Sequence, residues 1–438
     1  MTDPVRPSDS SSTQLNGCPA RFFRLLLGNV VAGGKMRRLI RFATDNSLLL
    51  ILGAVAGVLW ANLWPASYLA LKSFALPYAG EAGDAHARHV IDLEYLINDV
   101  LMAFFFALAG KEVWEAVLPG GSLRDGRSAA VPILCALGGM AGPVGVYLLL
   151  VLSTGQWDAL CAGWAIPCAT DIAFSYLVAR LVFGRGHPAV PFLLLLAIAD
   201  DALGLAILAL FFPVHPVKLQ WLLLVVAGIG AGLLLRRAGT KSFWWYLLGP
   251  GVLSWMGFSL AGLHPAMGLL PIVPTMPHMG KPEPHPHWEA LHHPDTLDRF
   301  EAWWKRPVEV ILGFFALLNA GVSLGEVSSV TWCVLAALLL GKPAGIFLTG
   351  LVATSMLGLR LSQGLRLRDL FVIGCAAGIG FTVALFVATV AFEEGAVQNA
   401  AKMGALGSCA AAGVTVLAAW MVGVERDHRR CKMENHRS

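Results

Sequence analysis

The chain has 438 residues, of which 56% are hydrophobic and only 14% charged, where an ordinary soluble domain carries roughly 25% charged residues. A soluble fold of this size has nowhere to hide so much apolar surface, which excludes the soluble classes and implies no nucleic-acid partner. The formal net charge of +4 says less than the placement of the charges along the chain.

Residues 1–44 open on a polar run without the charged start, short apolar core and small-residue cleavage site of a secretory signal, and are expected to stay as a cytoplasmic N-terminal segment. Within it, Arg21 to Arg41 mixes Phe22, Leu25, Leu26 and Leu27 with basic residues, which suits either an amphipathic helix on the inner membrane surface or a solvated tail. Cutting the rest at polar and Gly/Pro punctuation, with about 20 residues per span, predicts twelve helices in one membrane domain at 45–424. They fall at 45–65, 95–117, 129–152, 159–180, 188–212, 217–235, 243–260, 261–274, 307–324, 330–354, 369–392 and 399–424. The seventh and eighth together barely exceed one and a half spans. With both termini cytoplasmic, 26 of the 32 Lys and Arg residues fall on one side, the bias that the positive-inside rule predicts.

Residues 275–306, rich in proline and holding His278, His285, His287, His292 and His293, read as a cytoplasmic linker, since the histidine spacing matches no fixed metal-ligand pattern. Residues 425–438 read as a basic cytoplasmic tail. The eight cysteines form no CxxC pair and lie mostly in apolar segments, where cysteine behaves as a small hydrophobe, so no disulfide framework is expected.

A charge at a helix centre costs about 2.5 to 3.5 kcal/mol on insertion scales, so the charged positions inside spans are the informative ones. Asp99 stands near the start of the second span and reads as a site or a rim residue. In the fourth, Asp171 follows Pro167, which removes a helical donor and predicts a broken helix. Freed carbonyls and the Thr170 hydroxyl then face water or a cation, and a half-helix terminus brings about half a unit of charge into the membrane. The plainer reading is a proline kink with a capping aspartate. Asp200 and Asp201 interrupt the fifth span at its middle, at a cost of roughly 5 to 7 kcal/mol if charged and unpaired. They are buried carboxylates for an ion or salt-bridge pins, and at about 100° apart they address different neighbours. Lys342 lies within the tenth span and needs a carboxylate or carbonyl partner, which Asp200 or Asp171 can supply, unless it snorkels to an interface. A second break is expected at Gly378-Ile379-Gly380 in the eleventh span. The two breaks occupy corresponding places in two groups of three spans, and paired interruptions of this kind point to a midplane transport site.

Six stretches in this order, Ile97-Asn98-Asp99, Ala169-Thr170-Asp171-Ile172-Ala173-Phe174, Ala199-Asp200-Asp201, Asn319-Ala320-Gly321-Val322-Ser323-Leu324, Gly341-Lys342-Pro343 and Gly378-Ile379-Gly380-Phe381-Thr382, resemble the NhaA family of bacterial sodium/proton antiporters. That family is itself one from which the paired-break rule was drawn, so rule and resemblance are not independent. The resemblance spans roughly 45–424. It implies an all-α membrane protein of about twelve transmembrane helices, with inverted repeats and two crossed, interrupted helices. It further implies that Asp201 is the principal sodium ligand, that Asp200 pairs with Lys342, and that Thr170 and Asp171 stand where the broken helices cross. Asp99 matches a functionally important family position. Exchange of Na+ or Li+ for H+ in a bacterial inner membrane, electrogenic, pH-switched and commonly by a homodimer, is likewise implied. No cofactor is expected beyond the transported ions, and no enzymatic activity. The segment Gly110-Lys111-Glu112-Val113-Trp114-Glu115-Ala116 keeps only Glu112 and Val113 of the family pattern after its glycine, at the end of the helix associated with pH response.

The chemistry of the residues agrees. Sodium is a hard cation that wants oxygen ligands, and the same carboxylates must take up protons, which burial beside a like charge favours. Two other readings use the same residues. A sodium-coupled symporter of an organic anion would sit poorly with Lys342 lying beside carboxylates. An intramembrane aspartyl protease would pair Asp171 with Asp200, but its usual Gly-x-Gly-Asp setting is absent.

Overall fold

In hydrocarbon every backbone N–H and C=O must find its partner inside its own segment, so apolar stretches of this chain become helices. The structure, a computed structural model, describes residues 48–74, 92–123, 126–184, 186–278, 295–362 and 364–424, all within the unit Asn46–Ser438. The expected N-terminal segment 1–44, the histidines His285, His287, His292 and His293 and the tail 425–438 lie outside the described residues. No strand occurs among the described residues.

The elements run α1 (Leu48–Leu63), α2 (Pro65–Lys72), α3 (Leu93–Val117), α4 (Gly126–Thr154), α5 (Trp157–Cys168), α6 (Ile172–Phe183), α7 (Ala189–Phe211), α8 (Leu219–Arg237), α9 (243–261), α10 (Pro265–Thr275), α11 (Thr296–Asn319), α12 (Ser329–Ser355), α13 (Leu367–Ala377), α14 (Phe381–Ala391) and α15 (Ala396–Val422). Six of the described helices are long and apolar enough to cross a membrane, or eight when each bent pair counts as one span. The bent pairs are α5 with α6, at 53°, and α13 with α14, at 54°. The long helices α4, α7 and α15 carry bare apolar side chains, such as Leu149, Leu210 and Trp420, as lipid contact requires.

Two expected boundaries move. The ninth span, expected at 307–324, is the later part of a longer helix, since α11 begins at Thr296, inside the segment read as a linker. Asp295 and Asp298 form a reciprocal capping box there, with the Asp298 N–H donating to Asp295 at 2.8 Å and the Asp295 N–H to Asp298 at 3.3 Å. The eighth span is a run of 3-10 turns rather than an α-helix, because Pro265, Pro271 and Pro274 remove the donors that an α-helix needs.

Close helix contacts use glycine. A Cβ on Gly341 of α12 would stand 2.7 Å from the Pro143 Cα of α4, so these two backbones touch without side chains between them. That contact fixes α12 just where it carries Lys342.

Candidate functional site

Pro167 leaves α5 to end at Cys168, and Ala169 to Asp171 continue as extended chain before α6 resumes. Asp171 caps α6, its Oδ1 accepting from the Phe174 N–H at 3.1 Å. The opposite break, at Gly378 to Gly380, lies against the first. The Asp171 N–H donates to the Ile379 carbonyl at 2.7 Å, and the Ser175 hydroxyl donates to the Ala376 carbonyl at 2.8 Å. Asp171 Oδ2 accepts from the Thr382 N–H at 3.3 Å and from the Thr382 hydroxyl. One carboxylate thus answers the positive ends of two half-helices, α6 and α14. Ser408 of α15 holds the second break by accepting the Gly380 N–H at 3.2 Å.

The negative end of α5 is answered by Lys342, and that of α13 lies near Thr170. Lys342, fully buried, donates to the Cys168 carbonyl at the end of α5 and to Asp200 Oδ2 at 2.7 Å. It leaves a stretch of π-helix, Ala337–Gly341, of the kind often found at functional sites. The Thr170 hydroxyl lies 2.6 Å from Asp200 Oδ2 and 3.2 Å from the Ala377 carbonyl; with one proton to give, it favours the nearer carboxylate.

Asp200 therefore has one oxygen committed. Its Oδ1 is buried and, among the described residues, without a hydrogen-bond partner. Asp201, one residue on, is only partly buried, and no hydrogen bond or ion pair reaches its carboxylate among the described residues. It lines two cavities. One is walled mainly by apolar side chains, among them Phe105, Phe106 and Phe212, and also holds Asp200. The other runs past Thr170, Asp171 and Thr382 to Glu112, Glu301 and Lys305.

The residues singled out in the sequence thus divide. Thr170, Asp171, Asp200, Asp201 and Lys342 come together around the two breaks. Glu112 shares a cavity with Asp201 and Asp171 but belongs to its mouth, where Lys111 joins Glu115 at 2.6 Å and also meets Glu301. Asp99 lies elsewhere, in a cavity lined also by Asp92 and Glu394, with its Oδ1 3.6 Å from His264 Nδ1.

Several participants had weak sequence signals. Ser175, Ser408 and the Cys168 carbonyl act through single hydrogen bonds across the fold, which no spacing announces. Glu301 and Lys305 fall within the proline-rich segment expected to be a linker, where only the reciprocal Asp295–Asp298 pair signals a helix start.

The chain matches the family model described as Na+/H+ antiporter 1 over residues 37–420. It is 50% identical over 419 residues to a protein named Na(+)/H(+) antiporter NhaA from Jannaschia sp. (strain CCS1), covering 89% of this chain and 99% of that one. To the protein of the same name from Geotalea uraniireducens (strain Rf4) it is 44% identical over 393 residues, covering 89% and 98%. To that from Geobacter metallireducens it is 47% identical over 373 residues, covering 85% and 94%.

Proposed function

This chain belongs to the Na+/H+ antiporter 1 family, the NhaA antiporters, and from that premise we propose how its residues exchange the two ions. It is a multi-pass membrane transporter and not an enzyme. Asp201 is the principal ligand of Na+ or Li+, with Asp200 Oδ1 beside it and the Thr170 region completing an oxygen-rich pocket of the kind a hard cation prefers. The observation that carries this reading is the asymmetry of the adjacent pair. Asp200 is held by Lys342 and Thr170, while the Asp201 carboxylate is, among the described residues, unengaged and lines a cavity shared with Glu112, Asp171 and Lys305.

Protons compete for the same carboxylates, because a protonated carboxyl has lost the charge that attracts the cation. Competition becomes exchange when the site opens alternately to the two faces. Two proton-accepting groups against one monovalent ion support electrogenic exchange. The cavity of Glu112 is the cytoplasmic entrance, as the distribution of Lys and Arg favours, and the carboxylates at its mouth set the pH response. The two bent pairs, at nearly equal angles, are the crossed helices of two inverted repeats, and the chain resides in a bacterial inner membrane with both termini cytoplasmic. An anion symporter is disfavoured because the Lys342 ammonium is already taken by Asp200 and the Cys168 carbonyl.

The test is proton flux in reconstituted vesicles against sodium concentration. The native chain is expected to move protons on addition of Na+ with no organic solute present, and Asp201→Asn to be silent. Because Asp201 has no partner to lose, the variant should keep native thermal stability. Flux persisting in Asp201→Asn would refute the assignment.

A further inference from the structure

The half-helix α14 starts at the break beside Asp171 and ends at Ala391, and just beyond it Glu394 meets Lys72, the last residue of α2, with 2.5 Å between Oε1 and Nζ. Lys72 also holds Glu94 at 3.0 Å. Glu94 lies in the first turn of α3, whose far end carries Glu112. At 1.5 Å per residue the two glutamates stand about 27 Å apart along the helix, close to the thickness of a hydrocarbon core. One ammonium therefore ties α2, α3 and the end of α14 together on the face opposite the Glu112 cavity. The chain leaving α14 is anchored as well, by Gln398 Nε2 donating to the Phe392 carbonyl at 2.8 Å. Lys402 of α15, 2% exposed, adds a second positive charge near both glutamates.

The cavity on this face reaches Asp99, His264 and Thr389 but neither Asp200 nor Asp201, whereas the cavity on the Glu112 face reaches Asp201. The apolar cavity on Asp200 and Asp201 runs along α7 to Phe212 but shares no lining residue with the cavity on the Lys72 face; the site communicates with the Glu112 face, and the opposite face carries the ion pair.

We propose that Lys72, with Glu94 and Glu394, positions the outer end of Phe381–Ala391 as a latch, which holds the site closed on this face and parts when the site opens there. The inference rests on alternating exchange, since only exchange requires opening on both faces. The hydrogen bond from Lys72 holds the Glu394 carboxyl below its ordinary range. Burial works against the Lys72 charge, but Glu94 and Glu394 outweigh it and raise the ammonium, so the pair is charged at neutral pH. Glu394 is largely exposed, at 72% of its side chain, which keeps the bond weak enough to part in each cycle.

The test uses full-length chain lacking its native cysteines in a form that retains exchange. Lys72→Cys with Glu394→Cys, joined by a short bismaleimide, is expected to stop exchange, while the unjoined variant continues. A joined protein that still exchanges overturns the latch, as does failure to join when each cysteine reacts singly. Independently of exchange, Lys72→Gln should speed labelling of Gly204→Cys, which lines the cavity of Asp200 and Asp201 and not the outer one, by a membrane-impermeant maleimide, roughly two- to fivefold, the range expected of such ion pairs. Lys72→Arg should restore the native labelling rate. Unchanged labelling in Lys72→Gln overturns the latch, whereas absent sodium-driven flux in the native chain would instead overturn the exchange reading.

Discussion

Removing the ammonium of Lys342 tests the site most directly. In Lys342→Met the Asp200 carboxylate, 1% exposed, keeps only the Thr170 hydroxyl at 2.6 Å, and the end of α5 loses the cation on its Cys168 carbonyl. Breaking a buried pair by deleting one partner costs about 3 to 5 kcal/mol, because the survivor stays desolvated and uncompensated. Asp200→Asn strands the ammonium in the same way, eased only by the Cys168 carbonyl. Removing both charges removes the stranding, so the double variant is expected within about 1 kcal/mol of native. The three variants close a double-mutant cycle, with a coupling of several kcal/mol between the pair. It is read from unfolding in detergent at neutral pH, with circular dichroism checking that helix content is kept. Two single-variant costs that simply add in the double variant would refute a direct partnership of Asp200 and Lys342.

Three further outcomes are expected. Thr382→Val keeps the side-chain shape but removes the hydroxyl from Asp171; at about 1.5 kcal/mol for a bond to a charged group, the sodium half-saturation constant should rise about tenfold in vesicle assays. Gly341→Ala puts a Cβ 2.7 Å from the Pro143 Cα, whereas Gly145→Ala meets nothing within 4 Å. The first should cost about 1 to 3 kcal/mol and weaken exchange, and the second should leave both thermal stability and flux near native. For the latch, Glu394 lies below its ordinary value of 4.5 and Lys72 above its ordinary 10.5. The Glu394 contribution is thus present above 4.5 and lost as pH falls through the lowered value, and that of Lys72 is present below 10.5 and lost as pH rises through the raised one. The melting-temperature difference between native protein and Lys72→Gln should therefore be present around neutral pH and shrink in strong acid and strong base; a difference that grows on acidification would contradict the ion pair.

The helical, membrane-spanning character of this chain was legible in its sequence, because the bilayer imposes length and apolarity on each segment separately. The same logic exposed Asp171, Asp200, Asp201 and Lys342, since a charge in an apolar span is locally anomalous. Both breaks were legible too, because Pro167 and the Gly378-Ile379-Gly380 run disturb the helix by their own backbone chemistry. The start of α11 was written in Asp295 and Asp298 as well, but Pro307, inside that helix, reads as a helix break because it lacks the backbone donor.

Partnership was another matter. Adjacent residues Asp200 and Asp201 carry the same chemistry, and only their places on α7, with Lys342 arriving on one side and the cavity of Glu112 on the other, make them different. That Asp171 answers two helix ends, that Ser408 holds the second break, and that Lys72 joins residues 22 and 322 positions away all depend on contacts between segments remote in the chain. A hydrogen bond needs its two atoms within about 3 Å, and the tertiary packing alone decides which atoms those are.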